Sequence, residues 1–182
     1  IHGFVAPAVI YARQALQFLP ASAEQAYEQR PAEWIEWHCG CLLTLGMEAM
    51  QTGAFASARQ YLLAGYTLSL CVKDRVFTRV IGRMLGDVSL ETGELHQADS
   101  YYRQSLAEPS WPDETGETIF RAQLASGLIR LAYEWNELDR ADQLVNEASL
   151  HEYQGDFPAG EEAVRVQLEL LRLLLLRTRG KK

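Results

Sequence analysis

"LETGELHQA" fills residues 90–98, and forty residues earlier "MQTGAFASA" fills 50–58 on the same skeleton. Each has Thr-Gly, then a large apolar residue two positions past the glycine and an alanine five past it. A third stretch, "YEWNELDRA" at 133–141, keeps the leucine and the alanine but puts Asn136 where the glycine stood. Glycine enters the left-handed backbone region freely, and asparagine tolerates it next best. Such a residue just past a helix end lets the last turn close its free carbonyls. The three stretches therefore read as one joint between two helices, made twice with glycine and once with asparagine. Trp135, in the place of Thr52 and Thr92, adds apolar area beside the bend and packs against the next pair.

Working outward, a shift of 40 lays Leu45-Gly46 on Leu85-Gly86, Thr52-Gly53 on Thr92-Gly93, Ala58 on Ala98 and Tyr61 on Tyr101. A further shift of 43 lays Leu85 on Leu128, Leu95 on Leu138, Ala98 on Ala141 and Asp99 on Asp142. Self-similarity at such a period marks a repeat architecture. No run alternates like a half-buried strand. Helices are expected at about 4–19, 31–52, 55–70, 74–92, 95–107, 115–135, 138–152 and 159–178, with Pro31 and Pro158 in first turns. The fold class is all-α: a right-handed superhelix of antiparallel, tetratricopeptide-like helix pairs. One helical-repeat domain spans 1–182, with pairs at about 31–73, 74–114 and 115–157 and half-units at 1–30 and 158–182. The start at Ile1 and the end in a helical pattern suggest a fragment of a longer chain. Gly46 and Gly86 on first helices, with Ala58, Ala98 and Ala141 on second helices, keep the axes close where the two cross. A lone pair cannot bury its apolar stripe, so pairs must stack.

The order Leu-Gly, six residues, Gly, four residues, Ala resembles the tetratricopeptide repeat, although 40 and 43 exceed its usual length of about 34. With "YEWNELDRA" in the third pair and "YARQALQFLP" at 11–20, the chain resembles the superhelical sensor domain of MalT-type activators, the LuxR-family bacterial transcriptional regulators that carry an ATPase module. The resemblance implies a cytoplasmic regulatory segment, flanked in its parent chain by a nucleotide-binding module and a helix-turn-helix domain. These residues contain no G-x-x-x-x-G-K-[ST] and no basic recognition helix, so neither activity is expected here.

Composition narrows the function classes. A chain of 182 residues that is 48% hydrophobic and carries net charge −7 suits a folded protein without a nucleic-acid footprint. The basic cluster "RTRGKK" at 177–182 reads as a helix end. Three cysteines (Cys39, Cys41, Cys71) without a secretory segment point to a reducing compartment. Cys39 and Cys41, two apart on a helix, cannot chelate one metal and read as small apolar residues. "LELLRLLLLR" at 168–177 is too short and too interrupted to span a membrane, which takes about 20 residues. Uncovered, it would promote end-to-end self-association. The four histidines form no ligand cluster, and His96 reads as a solvated helix-start residue. Asp113-Glu114 and Glu161-Glu162 sit where helix starts favour negative charge. No nucleophile motif occurs, so no enzyme, cofactor or metal is expected. Trp111 in "AEPSWPDETGE" (107–117) is read as folded back over a helix joint.

Binding is expected on the concave groove, which first helices line in such stacks. Arg79, Arg83, Asp87 and Glu91 recur every four residues and share a face. The 40-residue shift maps the last three to Leu43, Met47 and Gln51, and the 43-residue shift maps them to Ser126, Arg130 and Glu134. The candidate set is Trp37, Met47, Gln51, Arg83, Asp87, Glu91, Arg130, Tyr133 and Glu134. It suits a small-molecule inducer or a protein partner, without direct nucleic-acid contact and without a membrane. The alternative is a generic tetratricopeptide-like scaffold for protein–protein interaction.

Overall fold

The computed structural model describes residues 9–14, 32–109 and 114–152. These residues are helical apart from short turns, and no strand occurs among them. In chain order the helices are α1 (Ala32–Gln51), α2 (Phe55–Cys71), α3 (Arg75–Glu91), α4 (Leu95–Ala107), α5 (Glu114–Glu134) and α6 (Leu138–Glu152). Residues 9–14 are helical as well. The expected bounds of these six helices hold to within a residue. Trp111, Pro31, Pro158, Glu161-Glu162, "LELLRLLLLR" and "RTRGKK" lie outside the described residues.

One joint, made four times, sets the architecture. Gly53 and Gly93 have φ of 74° and 77°, and Asn136 has φ of 58°. Lys73 between α2 and α3 also has φ of 58°, a joint that glycine and asparagine spacing alone does not reveal. At each, the left-handed residue donates its N–H to the carbonyl three back and its successor donates to the carbonyl five back. Gly53 N–H thus reaches Met50 O at 3.1 Å and Ala54 N–H reaches Ala49 O at 2.8 Å; Lys73-Asp74, Gly93-Glu94 and Asn136-Glu137 repeat the pattern. This is the hydrogen-bond pair of a Schellman closure, which ties off helix carbonyls and turns the chain sharply. The residue after the turn then begins the next helix. Asp74 does so with its side chain, accepting from Phe77 N–H at 3.1 Å.

Three-residue joints leave consecutive helices no option but to fold back on each other. Gly46 faces Leu62, Leu42 faces Gly65, and the Cys39 thiol reaches Gly65 O at 3.9 Å. As one residue number falls the other rises, so α1 and α2 are antiparallel. Ser69 with Thr78 and Gly65 with Ile81 show the same for α2 and α3, and Gly86 with Tyr102 and Gly82 with Ser105 for α3 and α4. The first helices also approach one another, α1 with α3 and α3 with α5. By contrast α2 and α4 meet through long side chains: Arg59 with Gln97 and Glu94, and Tyr66 with Gln104.

Ala58, Ala98 and Ala141 are fully buried, as their repeat positions require. The glycines, however, do not face those alanines. A Cβ on Gly46 would lie 2.6 Å from Leu62 Cδ2, and one on Gly86 would lie 2.6 Å from Tyr102 Cδ1. Each glycine is thus the hole for a large knob one turn beyond the alanine. The third pair reverses the sizes: Ile129 and Val145 stand where Gly86 and Tyr102 stood, and both are buried in one cluster with Ala132 and Ala141. The helix spacing survives because volume is conserved across the crossing rather than at either position.

Candidate functional site

Four of the candidate residues form two ion pairs on α3 and α5. Arg83 Nη1 and Asp87 form an ion pair one turn apart at 2.5 Å. Arg130 Nη2 crosses from α5 to Glu91 at 2.5 Å. Asp87 is also held by Tyr102, whose hydroxyl donates to Asp87 Oδ1 at 2.8 Å. Tyr102 sits on α4 and reaches Asp87 by passing between Gly86 and Gly127, since a Cβ on Gly127 would lie 2.6 Å from its Oη. Sequence spacing missed it because it lies on a second helix, although the glycines at 86 and 127 mark its passage.

Burial and charge oppose each other at Asp87. Asp87 has an 18% exposed side chain, and burial raises its carboxyl above the ordinary value. The Arg83 charge, the Tyr102 hydrogen bond and Arg130 act the other way, in that order. The Tyr102 phenol is raised strongly, by burial first and by Asp87 second. Arg83 Nε and Ser126 Oγ are buried without a hydrogen-bond partner. Polar atoms in that condition are uncommon in folded proteins.

Arg79 does not belong with Arg83 as the i, i+4 spacing suggests. It is 1% exposed and ties α3 to α5. Nη1 lies 2.6 Å from Glu117 Oε2 and Nη2 lies 3.1 Å from Glu117 Oε1. Nε and Nη1 also donate to the carbonyls of Ser105 and Pro109, at 3.3 and 3.2 Å, and the guanidinium lies 4.2 Å from the Phe120 ring centre. Arg121 reaches the same Glu117 at 2.6 Å. This is a joint, one turn from Arg83.

The remaining candidates separate. Met47 and Gln51 are exposed on α1, and Glu134 is exposed at the end of α5. Tyr133 is half-buried and packs on the Ile129–Val145 cluster. Trp37 is 77% exposed and borders a separate groove of about 700 Å³ between residues 9–14, α1 and α3. Tyr11 and Phe77 also line that groove, with Glu36, Gly40, Cys41 and Thr44 from α1. Sequence reading passed over Gly40 because it matches no position in the repeat.

The other reactive side chains have structural settings. The Cys39 thiol is pushed up to about 12, by burial first and then by the charges of Asp74 and Glu36. Burial likewise raises Cys41 and lowers His38. Cys71 is exposed. His96 is exposed too, but its ring lies 5.8 Å from that of Trp135, against which it is tilted. Among the described residues no cluster of three or more His, Cys, Asp or Glu could hold a metal ion. No described helix is long and apolar enough to cross a membrane. The arrangement can exchange ion pairs and hydrogen bonds with a polar ligand, and it offers an aromatic-walled groove beside them. Comparison of the chain with family models, with curated proteins and with solved structures gives no match.

Proposed function

We propose that the chain is a non-catalytic sensor segment that takes an inducer or a protein partner on the concave face of a right-handed superhelix of helix pairs. The superhelix is supported by the asymmetry of the packing: first helices approach one another while α2 and α4 meet through long side chains. On this reading α1, α3 and α5 line the inside of the curve. The observation that carries the binding role is the set of two ion pairs on α3 and α5, Arg83–Asp87 and Arg130–Glu91. Asp87 of this set is held by the Tyr102 hydroxyl, and the Arg130–Glu91 pair is accessible enough to exchange its partners for a ligand's. The repeat order and its resemblance to MalT-type regulators suggest that the bound state is passed to nucleotide-binding and DNA-binding domains of a cytoplasmic parent chain.

Thermal-shift screening of metabolites tests the reading. At a hundredfold excess over Kd a ligand adds about 2.7 kcal/mol, which raises Tm by about 5–10 °C in a chain of this size. Arg130→Ala should abolish the shift while leaving the ligand-free Tm within about 2 °C, since the pair with Glu91 is half-exposed. Retention of a protein on the same face, with no metabolite response, would favour the scaffold alternative. Turnover of a substrate, lost in Arg130→Ala, would overturn the non-catalytic reading.

A further inference from the structure

The groove beside α1 differs in chemistry from these ion pairs. Three aromatic side chains border it, and two of them stand largely in water: Tyr11 is 70% and Trp37 is 77% exposed. Glu36 is the one charged side chain among the described residues that line it. Aromatic faces and a carboxylate are all sources of negative potential. An anion is repelled by such a lining, and a neutral apolar molecule gains nothing from Glu36.

Gly40 supplies the second observation. A glycine inside a helix is less stable than alanine there, so it usually has a packing or backbone reason. Gly46, Gly86 and Gly127 have one, because a Cβ on any of them would meet Leu62 or Tyr102 at 2.6 Å. Gly40 has neither: among the described residues no atom beyond its chain neighbours and its own helix backbone lies within 4 Å of where its Cβ would be, and its φ is not positive. Its missing side chain leaves room in the groove, one turn from both Trp37 and Thr44. The volume of about 700 Å³ is that of a site for a small organic molecule.

We infer that this groove binds a lipophilic organic cation, an ammonium ion with an aromatic or branched alkyl body. The body lies over Gly40 among Tyr11, Trp37 and Phe77, and the charge sits beside Glu36. This goes beyond the inner-face reading, since the groove lies against residues 9–14 and α1, apart from the Arg83–Asp87 and Arg130–Glu91 pairs.

Benzyltrimethylammonium and its neutral isostere neopentylbenzene are the probes, titrated calorimetrically into the full chain. The cation should bind saturably, and the isostere about tenfold more weakly. Glu36→Gln should weaken the cation about five- to tenfold and leave the isostere unchanged. Gly40→Leu should abolish binding of both while Tm holds or rises, which separates lost space from lost folding. Equal affinity for the two probes would overturn the proposal. So would full cation affinity in Glu36→Gln or Gly40→Leu, or no saturation by about 10 mM. Loss of these effects alongside an Arg130-dependent ligand would refute the groove and spare the inner-face reading. Cation binding without any Arg130-dependent ligand would do the reverse.

Discussion

Arg79→Met tests whether a buried ion pair, more than apolar contact, fastens the second pair to the third. The guanidinium is nearly sealed, and Glu117 is 12% exposed, so solvent screens the pair little. Breaking a buried pair by removing one partner costs about 3–5 kcal/mol, because the charge left behind is uncompensated. Glu117 retains Arg121 at 2.6 Å, which argues for the lower end. The stranded carbonyls of Ser105 and Pro109 and the lost contact with Phe120 argue upward by about 1 kcal/mol. The expected loss is about 3–4 kcal/mol, read as a drop of about 10 °C in Tm. Unfolding of helix pairs need not be all-or-none. Amide hydrogen exchange should therefore show α5 and α6 losing protection before α1 and α2. The double variant Arg79→Met/Glu117→Met removes both charges and should recover at least about 2 kcal/mol of the loss. A single variant within about 1 kcal/mol of the parent would refute the argument. A double variant as unstable as the single would place the effect in packing volume, not charge.

Gly86→Ala and Gly40→Ala are the same chemical change with opposite expected signs. The first drives a methyl against the Tyr102 ring and should lose about 1–2 kcal/mol in urea denaturation, overpacking outweighing helix propensity. The second meets nothing and should gain about 0.5–1 kcal/mol; a loss there would mean the site is not open. Lys73→Gly relieves a left-handed lysine and should raise the denaturation midpoint by the equivalent of about 0.5 kcal/mol, the relief being partly offset by unfolded-chain entropy. With a thiol reagent, exposed Cys71 should react first and Cys39 only on unfolding. Cys39 also sets a pH limit. Its folded value is raised to about 12 from 9.0, so above pH 9 the unfolded chain ionises while the folded one does not, and stability falls as pH rises toward 12. Cys39→Ala should flatten that alkaline limb in pH-dependent denaturation, at a cost in overall stability; an unchanged slope would count against the assignment.

The helix joints were legible because the backbone filters residue types there. Gly53, Gly93 and Asn136 all carry positive φ, and few residues accept that conformation cheaply. Lys73 escaped notice for the same energetic reason turned round: a penalty of about 1–2 kcal/mol is small enough for neighbouring packing to absorb. Ala58, Ala98 and Ala141 were legible as crossing points because the repeat sets a small residue at the same position three times, and all three are fully buried. Their relation to Gly46 and Gly86 was not, since each glycine answers to Leu62 or Tyr102 on the facing helix. A spacing rule reports which residues share a face and is silent about what covers that face.

Arg79 and Arg83 show how far that silence reaches. They lie one turn apart, drift only about 40° around the helix, and were read as one surface. The helix α5 and the Ser105–Pro109 carbonyls close over Arg79, while Arg83 on the next turn keeps some exposure and pairs within its own helix. What separates Arg79 from Arg83 is therefore the neighbouring pair, against which Tyr102 of α4 is threaded between Gly86 and Gly127. The pairing of Asp87 is legible only after the register of α3, α4 and α5 is known, because Tyr102 reaches it from the facing helix α4. Gly40 inverts the rule. It is the residue whose neighbours explain nothing about it, and for that reason its position in the groove is the feature that points outward, to a ligand.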